Sequence, residues 1–112
     1  MNTPTTQAPT FKEIGQALFP VQDPEIRMGI TELGLIYGIA IQAGEGDKSK
    51  VSVQMSLTSP MCPYGPMMLA MVHSAVSKLP GVGDVQVDLT FEPVWDPRTM
   101  ASEDCRDKLG IF

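Results

Sequence analysis

The sequence predicts an α/β protein of the two-layer α+β kind. Its elements run α-β-β-α-β-α, with a small three-stranded mixed sheet and helices packed mainly on one face. Three observations predict this. Residues 35–41 and 51–57 alternate apolar with small or polar side chains around the flexible stretch "AGEGDKS", the mark of a hairpin. Apolar residues at steps of three and four follow, and then a third alternating run. That strand–helix–strand unit is long enough for a right-handed crossover, which makes strands two and three parallel. Finally, 112 residues, 43% of them hydrophobic, suffice for one core and not for two.

The elements follow in order. Residues 1–9 read as a flexible polar tail, and residues 10–112 as one domain. Thr10 and Glu13 form a capping box, with Phe11, Ile14 and Leu18 at helical spacing and Pro20 as the stop. Asp23-Pro24, Gly29 and Gly34 give turn chemistry to the next stretch. Leu35, Tyr37, Ile39 and Ile41 mark the first strand. Val51, Val53, Met55 and Leu57 mark the second and most regular one. Met68, Met71, Val72, Ala75, Val76 and Leu79 form the buried stripe of a second helix, ended by "LPGVGD". Val85, Val87, Leu89 and Phe91 make the third strand. Ser102 caps a short last helix with acids first and bases last, stopped at Gly110.

Composition narrows the function. A net charge of −5 disfavours nucleic acid as a partner, since phosphate binding needs a basic face. No apolar run approaches 18 residues, so no membrane span is expected. The N-terminal "MNTPTTQAPT" lacks the features of a secretion or mitochondrial targeting signal. Two distant cysteines outside any paired motif suggest free thiols in a reducing compartment, hence the cytoplasm.

Cys62 stands out. It falls between strand two and the second helix, among Pro60, Pro63 and Pro66. A helix N-terminus gathers unpaired N–H groups and the positive end of the dipole, a setting that favours a thiolate. Thr58 and Ser59 add hydroxyls that can hydrogen-bond a bound group. A buried structural cysteine is the plainer alternative, but the position favours a reactive or ligating one. The single histidine, His73, is eleven residues on and about 15 Å along the helix, too far to act as its base. His73 reads as a surface residue. Met68 and Met71 read as core, while Met61 and Met67 are placed to rim the cysteine; packing outweighs a thioether metal site. Cys105 reads as structural. Asp23 and Glu25 are either solvated turn residues or carboxylates flanking the cysteine. Trp95 anchors the end of the last strand.

Five pieces in this order and spacing resemble a known family: "DPEI" at Asp23–Ile26, "ELGLIY" at Glu32–Tyr37, "SLTSPMCP" at Ser56–Pro63, "LPGV" at Leu79–Val82 and "EPVWDP" at Glu92–Pro97. The chain resembles the SufT/PaaD-like iron–sulfur assembly proteins from about Phe11 to Phe112. The resemblance implies an iron–sulfur assembly-type domain and a pocket of Asp23, Glu25, Thr58, Ser59 and Cys62, with Cys62 as the metal ligand. Glu32 stands where an aspartate is usual, and Ser59 where a second threonine is common. Both keep the chemistry. Met61 replaces a small residue and narrows the room beside the cysteine. One chain lacks the four thiolates of a stable cluster. A transient iron–sulfur cluster would therefore be shared within a homodimer or with a partner.

The expected function is an iron–sulfur assembly, carrier or maturation factor without turnover chemistry, serving assembly proteins and client apoproteins. The alternative is a non-catalytic accessory subunit of a multicomponent oxygenase of the phenylacetate-degradation type. A thiol enzyme is disfavoured by the lack of a nearby base.

Overall fold

The computed structural model describes residues 9–110 except Glu25, Asp47, Ser59, Pro60 and Cys62. Helix α1, Phe11–Leu18, begins at the capping box: Thr10 Oγ1 accepts from Glu13 N–H, and Glu13 Oε1 accepts from Thr10 N–H. Ile14 and Leu18 are buried, but Phe11, read as part of the same stripe, is 61% exposed. Two short helices are additional to the expected elements. They are α2, Ile30–Leu33, and α4, Pro97–Met100. Each is a single turn, too short to show a 3.6-residue period.

Strands β1, Ile36–Ala43, and β2, Ser49–Met55, form the antiparallel hairpin. Helix α3, Gly65–Ser77, crosses to β3, Val82–Leu89, which pairs parallel with β2. The sheet order is β1-β2-β3. Val51, Val53 and Met55 of the central strand are fully buried. Paired with them, on the same face, are Ile41, Ile39 and Ile36 on one side and Val85, Val87 and Leu89 on the other. Helix α3 packs along β3, and α1 packs against α3 and α2. Met68, Val72 and Val76 of α3 are fully buried, with Met71, Ala75 and Leu79 partly buried against the core. Burial of each such side chain contributes about 1.5–3 kcal/mol. Helix α5, Glu103–Leu109, is capped by Ser102 and ends at Gly110 in the left-handed conformation, as expected.

Two strand readings need correction. The alternation in β1 changes phase at a register shift between Ile36 and Gly38. A bulge places two residues of one strand against one of its neighbour and inverts the facing. Ile36, not Tyr37, therefore joins Ile39 and Ile41 over the core. The third strand starts earlier than read, at Val82, directly after Gly81 turns the chain at φ 83°. It also ends earlier, at Leu89 rather than Phe91. Among the described residues no helix is long and apolar enough to cross a membrane.

Candidate functional site

The carboxyl ends of β2 and β3 lie at one end of the sheet because the two strands are parallel. Open sheets bind ligands at this end, where loops leave the strands. The segment between Met55 and Gly65 emerges there. Its first residues are held firmly: Ser56 and Leu57 are buried, and Ser56 N–H donates to the Leu35 carbonyl at 2.8 Å. Gly65 lets α3 start close to the sheet, since a Cβ there would stand 3.2 Å from Leu57 Cδ1. Pro66 occupies the first helical turn, where its missing N–H matters least. The N-cap residue, Tyr64, makes no side-chain capping bond to the first-turn amides.

Of the sequence-predicted site residues, Thr58 and Asp23 are described. Glu25, Ser59 and Cys62 lie outside the described residues. Thr58 is half-buried, where the chain rises from the core. Around the same end, Met61 is 87% exposed, Met67 48%, and Tyr64 and Leu89 37% each. His73 is on the exposed side of α3. Cys105 is 2% exposed and belongs to the core. Among the described residues no group of three or more His, Cys, Asp and Glu side chains could hold a metal ion.

Asp23 is fully buried, which overturns its reading as a solvated turn residue. Gln22 and Gly29 bridge in antiparallel fashion and close a loop around residues 23–28. Within it Asp23 N–H donates to Met28 O (2.9 Å), and Asp23 O accepts from Arg27 N–H (2.7 Å). Its Oδ1 accepts from Ile26 N–H at 3.3 Å. Arg27 takes the left-handed conformation, φ 58°. Asp23 and Arg27 also line a groove of about 760 Å³ with Ala17 and Val21, together with Met71 of α3 and Lys78 at its C-terminal end.

Sequence reasoning missed how two of the motifs meet. Trp95 Nε1 donates to Leu33 O at 2.7 Å, Tyr37 Oη–H to Pro93 O at 2.8 Å, and Ser102 N–H to Glu32 O at 2.7 Å. The "ELGLIY" and "EPVWDP" stretches thus form one unit beside the end of the sheet. The signal was present in the sequence. A tryptophan and a tyrosine carry polar handles that seek partners when partly buried.

Residues 12–89 match the family described as iron-sulfur cluster assembly protein. Among curated proteins, the chain is 39% identical over 103 residues to a Porphyromonas gingivalis protein named Fe-S protein maturation auxiliary factor. That match covers 92% of this chain and 93% of the relative. It is 32% identical over 91 residues to the Staphylococcus aureus Fe-S protein maturation auxiliary factor SufT, covering 81% and 98%. Among solved structures, a conserved hypothetical protein from Thermotoga maritima superposes with a TM-score of 0.78 at 36% identity, covering 97% of this chain and all of that one. A Mycobacterium tuberculosis protein described as associated with Fe-S complex assembly and repair superposes with a TM-score of 0.52 at 30% identity, covering 87% and 80%.

Proposed function

The chain belongs to the iron–sulfur cluster assembly protein family as a SufT-like member, and from that premise we propose that it matures iron–sulfur proteins by carrying a cluster as transient cargo on Cys62. The observation that carries this reading is the place of Cys62 in the chain. It falls between the end of β2 at Met55 and the start of α3 at Gly65, and that connection leaves the sheet at the carboxyl ends of two parallel strands. Helix α3 is thirteen residues long, and its N-terminal dipole and amides favour a nearby thiolate. Thiolate sulfur is the soft ligand that iron–sulfur clusters take.

Cys62 binds the iron, and Thr58 and Ser59 supply hydroxyls to the cargo. Asp23 and Glu25 frame the site from the 22–29 loop, with Asp23 acting through the turn it holds. The chain has two cysteines, and Cys105 is in the core. The other cluster ligands must come from a second copy, from glutathione, or from assembly proteins and client apoproteins. Incomplete ligation suits a carrier, which has to release what it holds. The exposed Met61, Tyr64, Met67 and Leu89 give those protein partners an apolar surface. The role is delivery rather than turnover, in the reducing cytoplasm. The relatives' names favour this over an oxygenase accessory subunit.

Anaerobic reconstitution with ferrous iron, sulfide and glutathione tests the proposal. Wild type should gain the visible absorption of a cluster and pass it to an apo-ferredoxin, and Cys62→Ser should do neither. A colourless wild type overturns independent carriage.

A further inference from the structure

The two edges of the sheet are built differently. On β3 the outer edge carries Asp84 and Asp88, both exposed, and a register shift around Gly83. Charge and irregularity of this kind keep edge strands from pairing with other chains. On β1, the eight residues Ile36–Ala43 contain no charge and no proline. Its only strand partner among the described residues is β2. The one irregularity, near Tyr37, is at its start. From Gly38 onward it is an uncharged, regular edge whose outward N–H and C=O groups have no backbone partner among the described residues, a template for a further strand.

We propose that β1 pairs antiparallel with β1 of a second copy, joining two sheets into one of six strands ordered β3-β2-β1-β1-β2-β3. A second copy fits for reasons of charge. Each chain carries −5, so self-association needs a seam without charge, and β1 is such a seam.

The register follows from facing. Ile39 and Ile41 face the core with Val53 and Val51, while Ala40 faces the other way with Ser52. A continuous sheet requires opposed residues to face the same side. The two-fold axis therefore passes through a residue rather than between two. Centring it on Ala40 sets Ile39 against Ile41 of the second copy and Gly38 against Gln42, and leaves the bulge outside the seam. Two such strands run in opposite directions, so the carboxyl ends of the two β2 strands point apart. Each protomer then presents its β2–α3 turn at its own end of the dimer, which directs cargo exchange toward other proteins rather than across the two-fold axis.

A seam of about five residue pairs buries less than the ~1,200 Å² of a standard interface, so a dissociation constant of about 10–100 μM is expected. Sedimentation of the reduced, cluster-free protein from micromolar to about 0.5 mM tests this, and does not depend on the cluster cargo. Ala40 and Gln42 are exposed. The double variant Ala40→Lys/Gln42→Lys should keep its circular dichroism and weaken the dimer at least tenfold. Directly opposed Cα atoms lie about 4.5–5.5 Å apart, within disulfide range. Ala40→Cys in a Cys62→Ser background should thus form a covalent dimer with diamide, and Gln42→Cys should do so far more slowly. A monomer at every concentration overturns the proposal. So does a dimer that the lysines leave unchanged, or a monomer whose β1 amides resist hydrogen exchange on both edges, which would show the edge covered by the chain's own termini.

Discussion

Trp95 donates its indole hydrogen to the carbonyl of Leu33 at 2.7 Å, across 62 residues of sequence. Leu33 closes the single-turn helix α2, whose last carbonyls have no partners within the helix. The indole supplies one. With the Tyr37–Pro93 and Ser102–Glu32 bonds it fixes the C-terminal segment to the entrance of β1. This in turn supports the candidate site, because Ser56 at the exit of β2 is tied to Leu35, within that unit.

Trp95→Phe keeps most of the apolar contact and removes the donor. The Leu33 carbonyl is then left part-buried without this partner, at a cost of about 1–2 kcal/mol. For a domain of this size that lowers the melting temperature by roughly 4–15 °C. Thermal unfolding followed by circular dichroism checks it, since the variant loses the only tryptophan.

Gly34 allows the same junction. It has φ 80°, and a Cβ added there would stand 2.2 Å from the Met100 carbonyl oxygen. Left-handed geometry alone costs an alanine about 1–2 kcal/mol, and the clash is with backbone that has no rotamer to yield. Gly34→Ala should destabilise far more than Trp95→Phe and separate α4 from α2. The comparison is a denaturant midpoint for each. Equal midpoints would mean that the segment moves aside freely.

The main elements were legible because each carries a strong local period or cap. Thr10/Glu13 and Ser102/Gly110 fixed helix ends, and β2 alternates because one face is core and the other is not. The misplaced features are those where local pattern and tertiary setting part. The bulge in β1 turns Ile36 toward the core while the alternation favours Tyr37. Asp23 looks solvated by type, yet it is buried because its backbone and carboxylate build the turn around it. The Trp95–Leu33 bond joins two segments distant in sequence, so no window of sequence contains it. The candidate cysteine could be located between a strand and a helix from sequence alone, whereas only the family resemblance set Asp23 and Glu25 beside it.

Asp96 gives a pH prediction. As N-cap of α4 it accepts from Arg98 N–H at 3.0 Å, and the Arg98 guanidinium lies 3.3 Å from the same oxygen. The backbone hydrogen bond first, and the guanidinium second, hold its carboxyl below the usual carboxylate range. A group depressed in the folded state stabilises it above the unfolded pKa. That contribution is lost as pH falls through the folded pKa. An NMR titration should place the Asp96 inflection below that of a free aspartate. Asp96→Asn should flatten this part of the acid limb of the stability curve. An unshifted inflection would mean that the cap is not formed in solution.

Asp23 separates shaping the site from acting on its cargo. The turn needs an acceptor at Oδ1 for Ile26 N–H, and asparagine retains one in the same shape. Asp23→Asn should therefore fold nearly as well as wild type. Asp23→Ala should lose about 1–3 kcal/mol by leaving the part-buried Ile26 N–H without that acceptor. If Asp23 acts by positioning the loop, Asp23→Asn reconstitutes a cluster and delivers it to apo-ferredoxin at the wild-type rate, while Asp23→Ala slows delivery in proportion to its loss of stability. A folded Asp23→Asn that binds the cluster but delivers it at least tenfold more slowly would assign the carboxylate charge a direct part in cargo transfer.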